Sequence, residues 1–193
     1  VGIAQLAEMI QNLDAHPNIA GHKFDVNTGG GEAVAGIHLY NTVKDLKKPS
    51  VAQVHTCASA GYLAMLPVNE IVALSTMSRI GSIGAMISMD KKFIDWYKEN
   101  IDDIYSNLSP EKNDALNSYL NGDKTKLVNS LDSLVQDFHE KVMKHRRLNP
   151  ENKKETLKGN TFYSKEAKSR GLIDSIGTEA YATKRLNFYI NNK

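Results

Sequence analysis

Apolar positions in the first half of the chain change spacing repeatedly, from helical steps of three and four residues to the short runs expected of buried strands. Ile3, Leu6, Ala7, Ile10 and Leu13 share one helical face, and Pro17 lies beyond its end. Phe24, Val26 and their neighbours read as a short strand running into Gly29-Gly30-Gly31. A second helix carries Ala33, Ile37, Tyr40 and Leu46 and ends before Pro49. Ser50 to His55 is another strand, followed at once by a run of small residues around Ser59. Glu70 to Leu74 and Ile83 to Met89 are expected to be extended, with Ser75 to Ser82 as the separator.

The second half changes rhythm. Phe93 to Glu99 and Glu111 to Leu120 have helical spacing. Leu127 to Arg147 predicts a long amphipathic helix striped by Leu127, Leu131, Leu134, Val135, Phe138 and Val142. Gly159 to Tyr163 reads as extended and Ser164 to Ser169 as a short helix. Gly171-Leu172-Ile173-Asp174 then leads into a final helix. Strands alternating with helices predict an α/β layer architecture with mostly parallel pairing and a helical C-terminal half. No repeat or low-complexity linker interrupts the pattern, so residues 1–193 are expected to form one domain.

Composition narrows the function classes. The net charge of +2 and dispersed basic residues give no electrostatic footprint for nucleic acid. The one short basic cluster, Lys144-His145-Arg146-Arg147, reads as a solvated helix end. A single cysteine, Cys57, rules out an intrachain disulfide and fits a reducing, cytoplasmic setting. No apolar run approaches the roughly 18–20 residues that span a bilayer. The missing initiator Met leaves a removed upstream segment, or an anchor on it, open. No residue cluster predicts a metal site or a cofactor.

Candidate chemistry concentrates where strands meet helices. Ser59 sits at such a junction among small residues, where a sharp turn exposes a hydroxyl and a helix start offers free amides. Alone it would be read as an ordinary helix N-cap. Gly29-Gly30-Gly31 also precedes a helix, and glycines there allow a tight turn with amides aimed at an oxyanion. The same glycines could make a plain turn or a phosphate cradle, but the Walker and dinucleotide patterns are absent. Gly81-Ser82-Ile83-Gly84 is a third glycine-containing segment.

These three segments, in this order, carry a family resemblance. Asp25-Val26-Asn27-Thr28-Gly29-Gly30-Gly31-Glu32 resembles the strand and glycine loop of Clp-like serine peptidases. Cys57-Ala58-Ser59-Ala60-Gly61-Tyr62 is similar to the Ala-Ala-Ser-Gly-Gly-Tyr element of the signal peptide peptidase A family, and Gly81-Ser82-Ile83-Gly84 to its Gly-Ser-Ile-Gly element. The likeness continues through Lys112 to Asp174, and the narrower resemblance is to compact phage-encoded members that mature the capsid (prohead proteases). It implies a ClpP/crotonase-like β/α superhelix, homo-oligomeric rings, a peptide or protein substrate and a Ser–Lys dyad working without a cofactor. Ser59 takes the nucleophile position, and Gly31 and Ala60 fall where the fold supplies oxyanion-hole amides, with Gly30 beside them. Gly29 for Pro, Cys57 for Ala and Ala60 for Gly are the departures, all small.

The base is read less directly. Histidine is the commonest proton acceptor, but the five histidines other than His55 have no catalytic context, and His55 lies inside a strand. Lysine serves when desolvation lowers its pKa. Lys112, in Ser109-Pro110-Glu111-Lys112-Asn113, falls where the resembling family has its catalytic lysine, with Lys91, Lys92 and His55 as alternatives and Ser82 as a hydrogen-bonding support. In that family Ser and Lys can come from neighbouring subunits. An acyl-CoA enzyme of the same fold would need a suitably placed Glu or Asp, which is missing. A catalytically silent oligomeric scaffold is the other alternative.

Overall fold

The computed structural model describes residues 2–192. Helix α1, Ile3–Ala15, covers the predicted apolar face. Strand β1 is His22–Thr28, helix α2 Ala33–Lys44 and strand β2 Ser50–Ala58. Helix α3 is Ala60–Met65, and strands β3 and β4 are Glu70–Ala73 and Arg79–Gly81. Helices α4, α5 and α6 follow as Lys91–Asn100, Asp114–Leu120 and Thr125–His145. The chain closes with α7 Lys153–Thr156, β5 Thr161–Tyr163, α8 Ser164–Ser169, β6 Ser175–Ile176 and α9 Glu179–Asn191.

Cα packing divides the chain into two compact units, one built from the chain up to Gly84 and from Asp137 onward, the other from Ala85 to Gln136. All six strands among the described residues belong to the first. β2 is the centre of the sheet because its residues 51–54 are buried and nearly all apolar, the pattern of a strand covered on both faces. It pairs in parallel with β1 on one side and with β3 and β4 on the other, and β6 continues in parallel beyond β3. Only β5 runs antiparallel, against β4. The β1–β2 register passes from Val26↔Val54 to Asn27↔Thr56, so β2 bulges at His55.

One face of the sheet carries the main core, where Val54, Cys57, Tyr62, Leu66, Ile80 and Leu172 meet Phe138 and Val142 of α6. The other face is covered by α9, through Val51, Val72, Ala182 and Leu186. A buried carboxylate anchors that helix. Glu70 accepts from Ser175 Oγ at 2.8 Å, Arg185 Nε at 2.5 Å and Tyr189 OH at 3.3 Å.

The second unit contains α4, α5 and the first part of α6. Asp90 caps α4 by accepting from the N–H groups of Lys92 and Phe93. Among the described residues, Ile94 is the one residue buried in this unit.

Three expectations change. Ile83–Met89 joins no strand; the ladder falls earlier, at Arg79–Gly81. Gly81 (φ 118°) and Ser82 (φ 53°) turn the backbone out of the sheet, and Ser82 N–H donates to Asn160 O at 2.8 Å, which ends the strand before Ile83. Helix α5 starts at Asp114 because Asn113, at φ 66°, breaks the helical path from Glu111. In α6 the predicted stripe is buried only at Phe138 and Val142, while Leu134 is 46% exposed.

Candidate active site

The candidate site lies in the first unit, where β2 passes into α3. Ser59 occupies the N-cap position with φ 51° and ψ −128°, the conformation of the first central residue of a type II′ turn, which favours glycine. A non-glycine residue held there stores on the order of 1–3 kcal/mol, so its surroundings must over-determine it. They do so on both sides of the peptide. Ser59 N–H donates to Gly81 O at 2.9 Å, and Ser59 O accepts from Leu63 N–H at 3.0 Å. The side chain makes no bond to its own helix, so the ordinary cap reading fails.

The glycine loop is brought against this turn. Gly30 has φ 114°, and a Cβ built there would stand 2.6 Å from Ser59 Cβ and 3.1 Å from Ser59 Oγ. No side chain larger than hydrogen fits. Thr28 braces the loop, its Oγ1 accepting from Gly30 N–H at 3.1 Å. Gly31 is exposed, with no heavy atom within 4 Å of a built Cβ. Ala60 opens α3, so its N–H has no acceptor inside the helix. A helix start and a glycine loop thus flank one strained serine.

The remaining candidates distribute as follows. Ser82, itself at positive φ, follows the Gly81 carbonyl that holds Ser59. Lys112 belongs to the second unit, exposed in the turn before α5, where its N–H donates to Ser109 O at 3.2 Å. Lys91 and Lys92 are exposed at the start of α4. His55 is exposed at the bulge with Nε2 3.5 Å from Asp25 Oδ1. Cys57 is fully buried, and burial pushes its thiol up to about 12, so it is a packed neutral side chain.

Several supporting residues escaped sequence reasoning. Gly36 lets α2 approach α3, since a Cβ there would lie 2.9 Å from Ala60 Cβ, and Gly61 likewise lets α3 close on Thr28. Tyr62 is buried and donates to Leu172 O at 2.7 Å, tying α3 to the segment before β6. Burial raises its phenol well above the usual range. A glycine two residues after and an aromatic three residues after the candidate serine become a readable signal only once α3 is placed.

A family model for peptidase family S49 matches residues 42–190, which include the strained serine and strands β2 to β6, while β1 and the glycine loop precede the match. The chain belongs to peptidase family S49. A Methanocaldococcus jannaschii protein named as a protease is 28% identical over 189 residues, covering 95% of this chain and 60% of the relative. The chloroplastic serine protease SPPA of Arabidopsis thaliana is 27% identical over 202 residues, covering 98% of this chain and 29% of the relative. The S49 chain thus spans less than two thirds of the length of these curated relatives. Among solved structures it is similar to the 1510-N membrane-bound stomatin-specific protease (TM-score 0.61, 15% identity, 95% of this chain and 76% of that one). It also resembles ClpP1 of Listeria monocytogenes (TM-score 0.58, 12% identity, 93% and 86%). A third likeness is to an enoyl-CoA hydratase/isomerase family member (TM-score 0.54, 16% identity, 98% and 65%). At these identities the likeness concerns fold, and the fold is ClpP/crotonase-like. No helix among the described residues is long and apolar enough to cross a membrane.

Proposed function

We propose that the chain is a serine endopeptidase in which Ser59 attacks the peptide carbonyl and Lys112 is the general base. The observation that carries the reading is the backbone of Ser59, held in a glycine-favouring conformation with Gly30 pressed against its side chain. Such strain is spent where a hydroxyl must be presented clear of its own helix. Neutral Lys112 takes the Ser59 proton as Oγ bonds to the carbonyl carbon. The N–H groups of Gly31 and Ala60 stabilise the tetrahedral oxyanion. Collapse expels the amine, which receives the proton, and water attacking by the reverse sequence releases the acid and Ser59. Ser82 supports the base.

The exposure of Lys112 fits a base desolvated only in an oligomer, with sites completed between copies. The narrower role, maturation of a phage capsid, rests on the sequence resemblance alone. The test is fluorophosphonate labelling and peptide hydrolysis by the parent chain, Ser59→Ala and Lys112→Ala. Ser59→Ala is expected to lose labelling and at least roughly 10⁴-fold in turnover. Undiminished activity in Ser59→Ala ends the proposal, and full activity in Lys112→Ala alone reassigns the base.

A further inference from the structure

We propose that Thr28 is a positioning residue for both donors of the oxyanion hole, holding the Gly30–Gly31 peptide through its hydroxyl and the start of α3 through its methyl group. The inference rests on the peptidase reading for the reaction it serves, while its geometry stands on Thr28 itself.

Thr28 is the last residue of β1 and lies opposite Cys57 in the parallel ladder, so the glycine loop and the turn at Ser59 leave the sheet from the same end. Its Oγ1 accepts from Gly30 N–H at 3.1 Å and donates to Gly30 O at 3.3 Å. The second bond decides more than the first. A trans peptide is planar, so the carbonyl of Gly30 and the N–H of Gly31 belong to one rigid plate and point opposite ways. With that carbonyl held towards Thr28, the Gly31 N–H is turned away from it. Were the plate to rotate, a carbonyl oxygen would stand where an oxyanion donor is needed, and attraction would become repulsion. Glycine on both sides of the plate makes such a rotation easy, because neither Gly30 (φ 114°) nor Gly31 has a Cβ to resist it. The hydroxyl supplies the restraint that the loop lacks.

The methyl group acts on the other donor. A Cβ built on Gly61 would overlap Thr28 Cγ2, so the methyl fills the place that a side chain there would take. Gly61 follows Ala60, whose N–H is the second proposed donor at the start of α3. A β-branched residue is stiff at χ1, which keeps the oxygen on the loop and the methyl on the helix. One side chain therefore sets the spacing between the two donors. Serine lacks the methyl and valine the hydroxyl; threonine joins both on one Cβ.

That division is the test. Thr28→Val keeps the shape and loses the hydroxyl, whereas Thr28→Ser keeps the hydroxyl and loses the methyl. Labelling by a rhodamine fluorophosphonate, in which Ser59 Oγ displaces fluoride from phosphorus, is followed against probe concentration to separate the limiting rate from half-saturation. Thr28→Val is expected to lower the limiting rate at least roughly 30-fold, a large part of what one lost oxyanion donor costs, with half-saturation nearly unchanged. Thr28→Ser is expected to lose no more than about fivefold, the effect of a small displacement of α3. A parental rate in Thr28→Val overturns the proposal. So do equal losses in the two variants that follow equal falls in urea midpoint, which would make Thr28 ordinary packing.

Amide NMR on the Ser59→Ala chain keeps this apart from the peptidase reading. There Thr28→Val is expected to shift or broaden the Gly31 signal, and Thr28→Ser to leave it close to its place. An unmoved Gly31 signal in Thr28→Val overturns the proposal even where the parent chain labels. A parent chain that does not label, with Gly31 displaced by Thr28→Val, would instead remove the peptidase reading and leave the Thr28 restraint standing.

Discussion

The surroundings of Ser59 and those of Lys112 are built on opposite plans. Around Ser59, β2, α3 and the segment before β6 are packed so tightly that one added Cβ at Gly30 or Gly36 has no room. Around Lys112, the unit from Ala85 to Gln136 buries only Ile94 among the described residues and leaves Ile104 93% and Leu108 96% exposed. A nucleophile needs its geometry fixed before substrate arrives, because misplacement of an ångström is costly in rate. A lysine base needs a dry environment, and a sparsely buried unit gains one when something else covers it. If the proposed dyad holds, its serine half is rigid in the chain alone and its lysine half would depend on assembly.

The sharpest way to break that contrast is Gly30→Ala. The added methyl meets Ser59 Cβ at 2.6 Å on a backbone with φ 114°. Turnover is expected to fall at least 100-fold, with a stability loss of roughly 2–3 kcal/mol by urea titration; a fully active variant would show the turn to be loose. Comparable in stability, without the loss of turnover, is Arg185→Ala, which removes the cation paired with the Glu70 carboxylate (5% exposed) beneath α9. It should cost about 3 kcal/mol, the low end for an unpaired buried charge because Arg185 is itself 29% exposed.

Lys112→Ala is expected to change folding stability by less than about 0.5 kcal/mol, as an exposed surface substitution does. A larger loss would mean that its surroundings are already packed. The smallest effect concerns Asp14. Burial alone would raise its carboxyl, but hydrogen bonds from Lys47 N–H, His22 and Lys48 N–H outweigh that and hold it below the ordinary value. Its contribution to stability is therefore present above the unfolded pKa near 4 and lost as pH falls through the lower folded value. Asp14→Asn should flatten that acid limb in urea midpoints measured from neutral pH downward.

Much of the first unit was legible because its long elements obey one period each. The span of α1, the run of β2 and the breaks at Gly29 and Pro49 all carried over. What escaped was short or conditional. β4 has three residues and β6 two, too few for alternation to register, and their pairing is imposed by neighbours. The incompletely buried part of the α6 stripe shows the complementary failure, since periodicity reports which face is apolar and not whether anything covers it. For the site, the glycine and serine segments were visible in order, but the sign of φ at Ser59 was not. That sign comes from the Gly81 carbonyl and the packing at Gly30, both distant in sequence.

The turn at Ser59 also bears on inheritance. Glycine would occupy φ 51°, ψ −128° without strain, so Ser59→Gly should make the fold more stable by about 1 kcal/mol while removing the hydroxyl. A lineage kept only as a scaffold would drift toward the easier residue, because nothing in the packing would reward the harder one. A serine at this position makes the fold less stable than glycine would, and under the proposed mechanism its hydroxyl is what offsets that cost.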